Sequence, residues 1–152
     1  MSGPAYCGAS VHSLDEKARL IVPKRLLDAI GDPEAEFVLT ASPDGCLWLV
    51  DKRKFEALSS QLEGDLLDQA PRRRWQRRLV LGYAESCALD KSGRILVPEV
   101  LRNFLQLGTS REVVVVGNGD VIELWSATAW RDATKPIDPR SLQNNTVGSA
   151  AG

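Results

Sequence analysis

Two short charged segments hold the residues of this chain whose types and spacing suit chemistry. Asp15 stands four residues before Arg19, and Asp90 stands four residues before Arg94. A guanidinium offers a planar fork of donors that suits phosphate oxygens or the edge of a guanine base. The aspartate can accept hydrogen bonds from turn amides or from the arginine itself. The pattern therefore indicates either two nucleic-acid contacts or two internal ion pairs that close the fold.

The charged segments belong to a repeat that covers most of the chain. Residues 14–23 return as residues 89–98, an offset of 75 positions, as from Asp15 to Asp90. The offset also holds, without insertion, for apolar pairs: Leu26 and Leu101, Ile30 and Leu105, Val38 and Val113, Leu39 and Val114, Leu47 and Ile122, Leu49 and Leu124. Each copy is too small to bury much core alone, so we expect the copies to pair as one pseudo-symmetric body.

Each copy predicts the same order of elements: strand, charged turn, strand, short helix, hairpin and a second helix. The short helices are predicted over residues 23–30 and 98–107, because a proline begins each one and a glycine, Gly31 or Gly108, follows it. The fold class is α+β and β-rich. The predicted parts are a flexible N-terminus (1–7), a first repeat (8–62), a helical linker (63–82), a second repeat (83–133) and a disordered tail (134–152).

The linker carries the densest positive charge of the chain. Its five arginines are Arg72, Arg73, Arg74, Arg77 and Arg78. They form either a second DNA-facing patch or a subunit interface, in which Trp75 and Leu79 bury one side of the helix. The interface is favoured, because arginines alternating with aromatic and aliphatic residues are common at protein interfaces.

Bulk properties set limits on the function. With 152 residues, a net charge of −1 and a pI near 5.9, the chain lacks the basic total typical of nucleic-acid binders, so DNA binding would rest on local charge and on oligomerisation. The apolar runs are too short to span a membrane, and the N-terminus has no secretory pattern, so a cytoplasmic location is expected. Three widely spaced cysteines and one histidine predict no metal site, and no catalytic constellation, cofactor or enzyme activity is expected.

The motif Leu-Asp-x-x-x-Arg-hydrophobic-x-x-Pro, present twice around an Arg-Arg-x-x-Gln-Arg-Arg linker, resembles the MraZ family of bacterial transcription factors. The matching residues are Leu14, Asp15, Lys17, Arg19, Pro23, Arg73, Gln76, Arg77, Asp90, Gly93, Arg94, Pro98, Leu101 and Arg102. The resemblance covers roughly residues 6 to 132. It implies two AbrB-like swapped-hairpin halves in a pseudo-two-fold β-barrel, and a ring-shaped homo-oligomer such as an octamer or dodecamer.

The resemblance also implies a function: sequence-specific binding of direct repeats in promoter DNA, in the division and cell-wall gene cluster and at the protein's own promoter. Arg19 and Lys17 would make the main contact, Arg94 and Lys91 would support it, and Asp15 and Asp90 would hold the turns. Which turn faces DNA stays open. A nucleoid-associated cytoplasmic regulator is expected.

Two positions depart from the family pattern. Ala18 stands where the family has glycine, and Cys7 stands where the family often has arginine. Alanine resists a positive φ by about 1 kcal/mol, so a reshaped first turn is expected. These departures favour a rival function, an oligomeric protein-interaction scaffold with weak or lost DNA binding. A second rival is an antitoxin-like module whose tail wraps a toxin.

Overall fold

The computed structural model of the protein describes residues 5–64, 67 and 70–141. The predicted disorder of residues 142–152 and flexibility of residues 1–4 concern positions outside the described residues. The elements are β1 (Ala9–Ser13), β2 (Arg19–Ile21), α1 (Lys24–Ile30), β3 (Glu36–Ala41), β4 (Leu47–Asp51), α2 (Lys52–Leu62), α3 (Pro71–Gly82), β5 (Glu85–Ala88), β6 (Arg94–Leu96), α4 (Glu99–Leu105), β7 (Glu112–Asn118), β8 (Val121–Trp125) and α5 (Ala127–Ala133). The predicted α+β, strand-rich class is confirmed.

The order of elements from β1 to α2 recurs from β5 to α5, and α3 lies between the two copies. The short helices α1 and α4 follow Pro23 and Pro98. Helix α1 ends before Gly31, which has a φ of 77°. Helix α4 ends at Leu105, two residues earlier than predicted, because Gln106 adopts the left-handed conformation with a φ of 55°. Glutamine is a good helix former, so its residue type gave no sign of this end.

Each half gives its first strand to the hairpin of the other half. The main sheet has the order β1-β7-β8-β4-β3-β5, in which β1 pairs with β7, β5 pairs with β3, and the two hairpins meet between β4 and β8. The sheet is open, with β1 and β5 at its edges. The predicted closed barrel is therefore not confirmed. Among the described residues, strands β2 and β6 form a separate two-stranded ribbon and do not close the sheet.

The strand register reveals a pseudo-two-fold axis. Trp48 pairs with Glu123 in the main sheet, and Leu20 pairs with Ile95 in the ribbon. The members of each pair are 75 positions apart, so they occupy equivalent places in the two copies. An axis that exchanges the halves must pass between the residues of each pair. The same pseudo-two-fold axis therefore passes through the ribbon and through the centre of the main sheet.

One hydrophobic core serves both halves. It brings together Leu20, Leu26, Ile95 and Leu101, each at most 1% exposed, with apolar residues of the main sheet. Tyr6 is also buried and pairs with Gly119, so contacts with the body begin inside the segment predicted to be flexible. Among the described residues, no helix combines the length and apolar character needed to cross a membrane.

Candidate nucleic-acid interface

The first charged turn is closed by the Asp15 carboxylate. Its Oδ1 accepts hydrogen bonds from the backbone N–H groups of Lys17 and Arg19, both at 2.9 Å. Its Oδ2 accepts from Nε of Arg19 at 2.8 Å. The backbone adds two further bonds, from the Asp15 N–H to the Arg19 carbonyl and from the Ala18 N–H to the Asp15 carbonyl. The aspartate therefore holds both the turn and the arginine side chain.

The second charged turn repeats this geometry. Oδ1 of Asp90 accepts from the N–H groups of Ser92 and Arg94 at 2.9 Å, and Oδ2 accepts from Nε of Arg94 at 2.8 Å. The N–H of Gly93 donates to the Asp90 carbonyl at 3.0 Å. The internal ion pair that the sequence left open thus exists in both copies, as an aspartate–arginine clasp.

The clasps change the titration of both aspartates. Hydrogen bonding from the backbone N–H of Arg19 lowers the pKa of Asp15 most, and the Arg19 side chain lowers it further, while burial works in the opposite direction. The backbone N–H of Arg94 lowers the pKa of Asp90 in the same way. Both carboxyl groups are therefore charged at neutral pH. They balance the charges of the two arginines, and because each clasp bonds Nε, the further donors of each guanidinium are its Nη1 and Nη2 groups.

The expectation of a reshaped first turn is wrong. Ala18 takes a φ of 62°, close to the 76° of its counterpart Gly93. The Ala18 carbonyl accepts from the Val97 N–H and the Gly93 carbonyl accepts from the Val22 N–H, each at 3.0 Å. Because the surrounding hydrogen bonds determine the turn so strongly, alanine adopts the left-handed conformation and bears its cost.

The structure brings the two turns together. Nη1 of Arg94 lies 3.7 Å from Oδ2 of Asp15, so the second arginine also reaches the first aspartate. Lys17 and Lys91, at the tips of the two turns, are exposed. The sequence left open which turn faces outward. In the structure, the two turns lie at opposite ends of the β2–β6 ribbon, and the lysine of each turn is exposed.

The outer face of the ribbon alternates arginines with aliphatic residues. Leu20 and Ile95 point into the core, so the residues on either side of them point outward. Arg19 stands opposite Leu96, and Arg94 stands opposite Ile21. Ile21 and Leu96 are 56% and 55% exposed. The predicted site does not include these two residues, although both are aliphatic and lie two positions after the motif arginine.

The arginine-rich helix α3 packs against α2 and β3. Its buried residue is Val80, whose carbonyl accepts from Oγ1 of Thr40 at 2.6 Å. Trp75 is 44% exposed in the single chain, so its burial in a subunit interface stays a prediction. It points away from the side that carries Val80, where the helix meets the sheet.

The hydrogen bonds given above for the charged turns are made within each turn and do not include the α3 arginines. Arg72, Arg73 and Arg78 are exposed, and Arg73 donates to the Gln61 carbonyl on α2. Arg74 and Arg77 are partly buried. Within the described part of the chain, Nε and Nη1 of Arg77 are buried without a hydrogen-bond partner.

Cys46 is buried and Cys87 is partly buried. Burial raises the pKa of Cys46 to about 12 and that of Cys87 to about 11. Both thiols are therefore protonated at neutral pH and are poor nucleophiles. Cys7 is exposed, at the position where the resemblance led us to expect an arginine.

Comparison with known proteins agrees with the duplicated architecture. The sequence model described as "MraZ protein, putative antitoxin-like" matches residues 5–78 and again residues 80–146. The chain belongs to the MraZ family. Its two matches in that family correspond to the two copies that supply one charged turn each.

Individual members of the MraZ family match most of the chain. A protein of Thiobacillus denitrificans named "Transcriptional regulator MraZ" is 39% identical over 126 residues, covering 82% of this chain and 83% of its own length. Proteins of the same name are 37% identical in Heliobacterium modesticaldum (88% of this chain, 90% of the relative) and 35% identical in Desulfitobacterium hafniense (88% and 89%).

Proposed function

We propose that the protein is a DNA-binding transcriptional regulator that meets DNA with the β2–β6 ribbon and both charged turns. The observation that carries the proposal is the meeting of two aspartate–arginine clasps on one exposed face, with Nη1 of Arg94 at 3.7 Å from Oδ2 of Asp15. The relatives named "Transcriptional regulator MraZ" support the regulatory role.

The clasp prepares each arginine for recognition. Because Nε of Arg19 is bonded to Asp15, the guanidinium is held in place before a ligand arrives, and less side-chain entropy is lost on binding. The remaining Nη1 and Nη2 edge can bind a phosphate or the O6 and N7 acceptors of guanine. Lys17 and Lys91 at the turn tips are suited to phosphate contacts, which position the protein on the duplex.

The charge of this face explains why one protomer would bind weakly. Four cations, Lys17, Arg19, Lys91 and Arg94, are opposed by three carboxylates, Asp15, Glu16 and Asp90. A ring-shaped homo-oligomer on direct repeats would multiply the weak contact through avidity. We propose helix α3 as a subunit contact, because an exposed tryptophan among arginines has the composition of an interface core.

The target is proposed to be the division and cell-wall gene cluster, including the protein's own promoter, with action at the nucleoid in the cytoplasm. The test measures binding of the purified full chain to the duplex upstream of its own coding sequence, over a series of salt concentrations. Arg19→Ala and Arg94→Ala should each weaken binding and reduce the slope of log affinity against log salt by about 1 for every protomer engaged.

Matched variants protect this test from effects on folding. Arg131→Ala removes the same charge from the exposed end of α5 and should leave binding unchanged. Arg19→Lys keeps the charge but loses the planar fork, so it should retain binding to unrelated DNA and lose preference for the promoter. Equal binding by wild type, Arg19→Ala and Arg94→Ala would exclude the ribbon as the DNA contact.

The scaffold function is the second candidate, and the clasps themselves favour it, since each arginine is already balanced by an aspartate. A scaffold would form the same oligomer but show no salt-sensitive binding to promoter DNA. Absence of such binding by the intact oligomer would favour the scaffold over the regulator.

A further inference from the structure

We infer that Ile21 and Leu96 are specificity-determining residues that contact thymine methyl groups in the DNA major groove. The inference rests on the proposed function, because it assigns a role within the same DNA-binding face. It starts from an observation that the charged motif does not explain. Two aliphatic side chains, more than half exposed, occupy equivalent outward positions on the ribbon.

The strand register alternates arginine and aliphatic side chains along and across the outer face of the ribbon. Arg19 is directly opposite Leu96 and Arg94 is directly opposite Ile21, so each aliphatic residue faces an arginine on the paired strand. Directly opposed Cβ atoms lie about 5 Å apart, and diagonal neighbours lie about 7–8 Å apart. Ile21 and Leu96 are diagonal neighbours. Their separation is therefore close to two base-pair steps of B-DNA, at about 3.4 Å each.

This pattern suits the major groove of DNA. The groove admits a two-stranded antiparallel ribbon, and it presents guanine acceptors and thymine methyl groups on its floor. Arginine and aliphatic side chains recognise those two kinds of group. Each arginine of the outer face therefore has an aliphatic residue beside it, and the two kinds of side chain could contact adjacent base pairs.

The two faces of the ribbon differ in exposure: the outer face is exposed, and the inner face packs in the core. Leu20 and Ile95 anchor it in the core with 0% and 1% exposure. The outward side chains therefore project from a fixed base. Each aliphatic residue would add sequence discrimination at thymine, while the arginines would act at guanine or at phosphate.

The test combines a change in the protein with a change in the DNA. The full chain is titrated against the duplex upstream of its own coding sequence, and against the same duplex made with deoxyuridine in place of every thymidine. Deoxyuridine lacks only the methyl group. Wild type should lose at least about fourfold in affinity on the methyl-free duplex, the value for one buried methyl-sized group.

Ile21→Ala and Leu96→Ala should bind the normal duplex about fourfold or more weakly, and should lose less than wild type when the methyl groups are removed. The double variant should lose least. Val11→Ala, which truncates a similarly exposed aliphatic residue on β1, should behave as wild type on both duplexes. Changes in DNA shape caused by deoxyuridine affect every protein variant alike, so they cancel in the comparison.

Three results would overturn the inference. The first is that both ribbon variants lose as much as wild type on the methyl-free duplex. The second is unchanged DNA binding together with a smaller oligomer on size-exclusion chromatography, which would make these residues subunit contacts. In either case, salt-sensitive binding that is lost in Arg19→Ala would leave the proposed function standing. The third, no binding of either duplex by wild type, would remove the proposed function as well.

Discussion

Replacing Ala18 by glycine is expected to stabilise the protein. Ala18 has a φ of 62°, in the left-handed region, where an L-residue with a Cβ pays roughly 1–2 kcal/mol. Glycine avoids that cost but loses about 0.5–1 kcal/mol more conformational entropy on folding. The net gain is therefore about 0–1.5 kcal/mol, centred at about 0.75 kcal/mol, which corresponds to a rise in Tm of up to about 6 °C.

The reverse change in the second turn should cost more than the first change gains. In Gly93→Ala the same backbone terms act with opposite sign at a φ of 76°. The new Cβ would also lie 2.8 Å from Cδ1 of Leu27, so that side chain must move. Comparing the two variants therefore shows whether the same backbone cost acts in both turns and whether the contact with Leu27 adds to it in the second.

Urea denaturation at one fixed protein concentration measures both effects, since an unchanged m-value with a shifted midpoint reports stability alone. Ala57→Gly, in the exposed interior of α2, is the control and should lose about 1 kcal/mol because its φ is helical. If Ala18→Gly destabilised the protein as Ala57→Gly does, the account of strain in the first turn would be refuted.

Three further predictions follow from buried and strained groups. The folded state lowers the pKa of Asp15 and Asp90, so their contribution to stability is complete above the ordinary carboxyl pKa of about 4 and is lost as pH falls through the folded-state pKa values. In thermal scans, the Tm of the double variant Asp15→Asn with Asp90→Asn should therefore fall less on acidification than the Tm of wild type. Glu123→Leu should destabilise by about 1–3 kcal/mol in urea, because the buried carboxylate accepts from two indole N–H groups that would lose their partner; a neutral result would show that water replaces it. Gln106→Gly should gain about 0.5–1 kcal/mol and Gly31→Gln should lose a similar amount by the same assay, and equal signs would contradict the role of the left-handed helix end.

Local patterns in the sequence predicted the elements well, because they follow from residue types at fixed spacing. The equivalence of Leu26 with Leu101 and of Leu47 with Ile122 placed these residues in the core, and all four are buried. The prolines before α1 and α4 also marked the true helix starts. These features depend on the chain within a few residues of each position.

Features that depend on distant pairing could not be read in the same way. The two copies are alike, so the apolar pattern of β1 fits the hairpin of either half, and only the assembled sheet shows that β1 pairs with β7. The burial of Val80 likewise depends on how α3 lies on the sheet, which the residue types of α3 alone do not determine. The outward aliphatic residues of the ribbon became visible only when Leu20 was seen to point inward.

Trp48 and Glu123, which face each other across the pseudo-two-fold axis, indicate how such a chain can arise. In a symmetric dimer of a single-copy chain, a residue on the axis must face itself, so this position would hold two tryptophans or two carboxylates. Here the indole N–H of Trp48 donates to Glu123 at 3.3 Å, a bond between unlike partners. Joining two copies in one chain lets the facing positions diverge, which a homodimer cannot do. Joining also makes the pairing of the halves independent of protein concentration, so dilution cannot separate them.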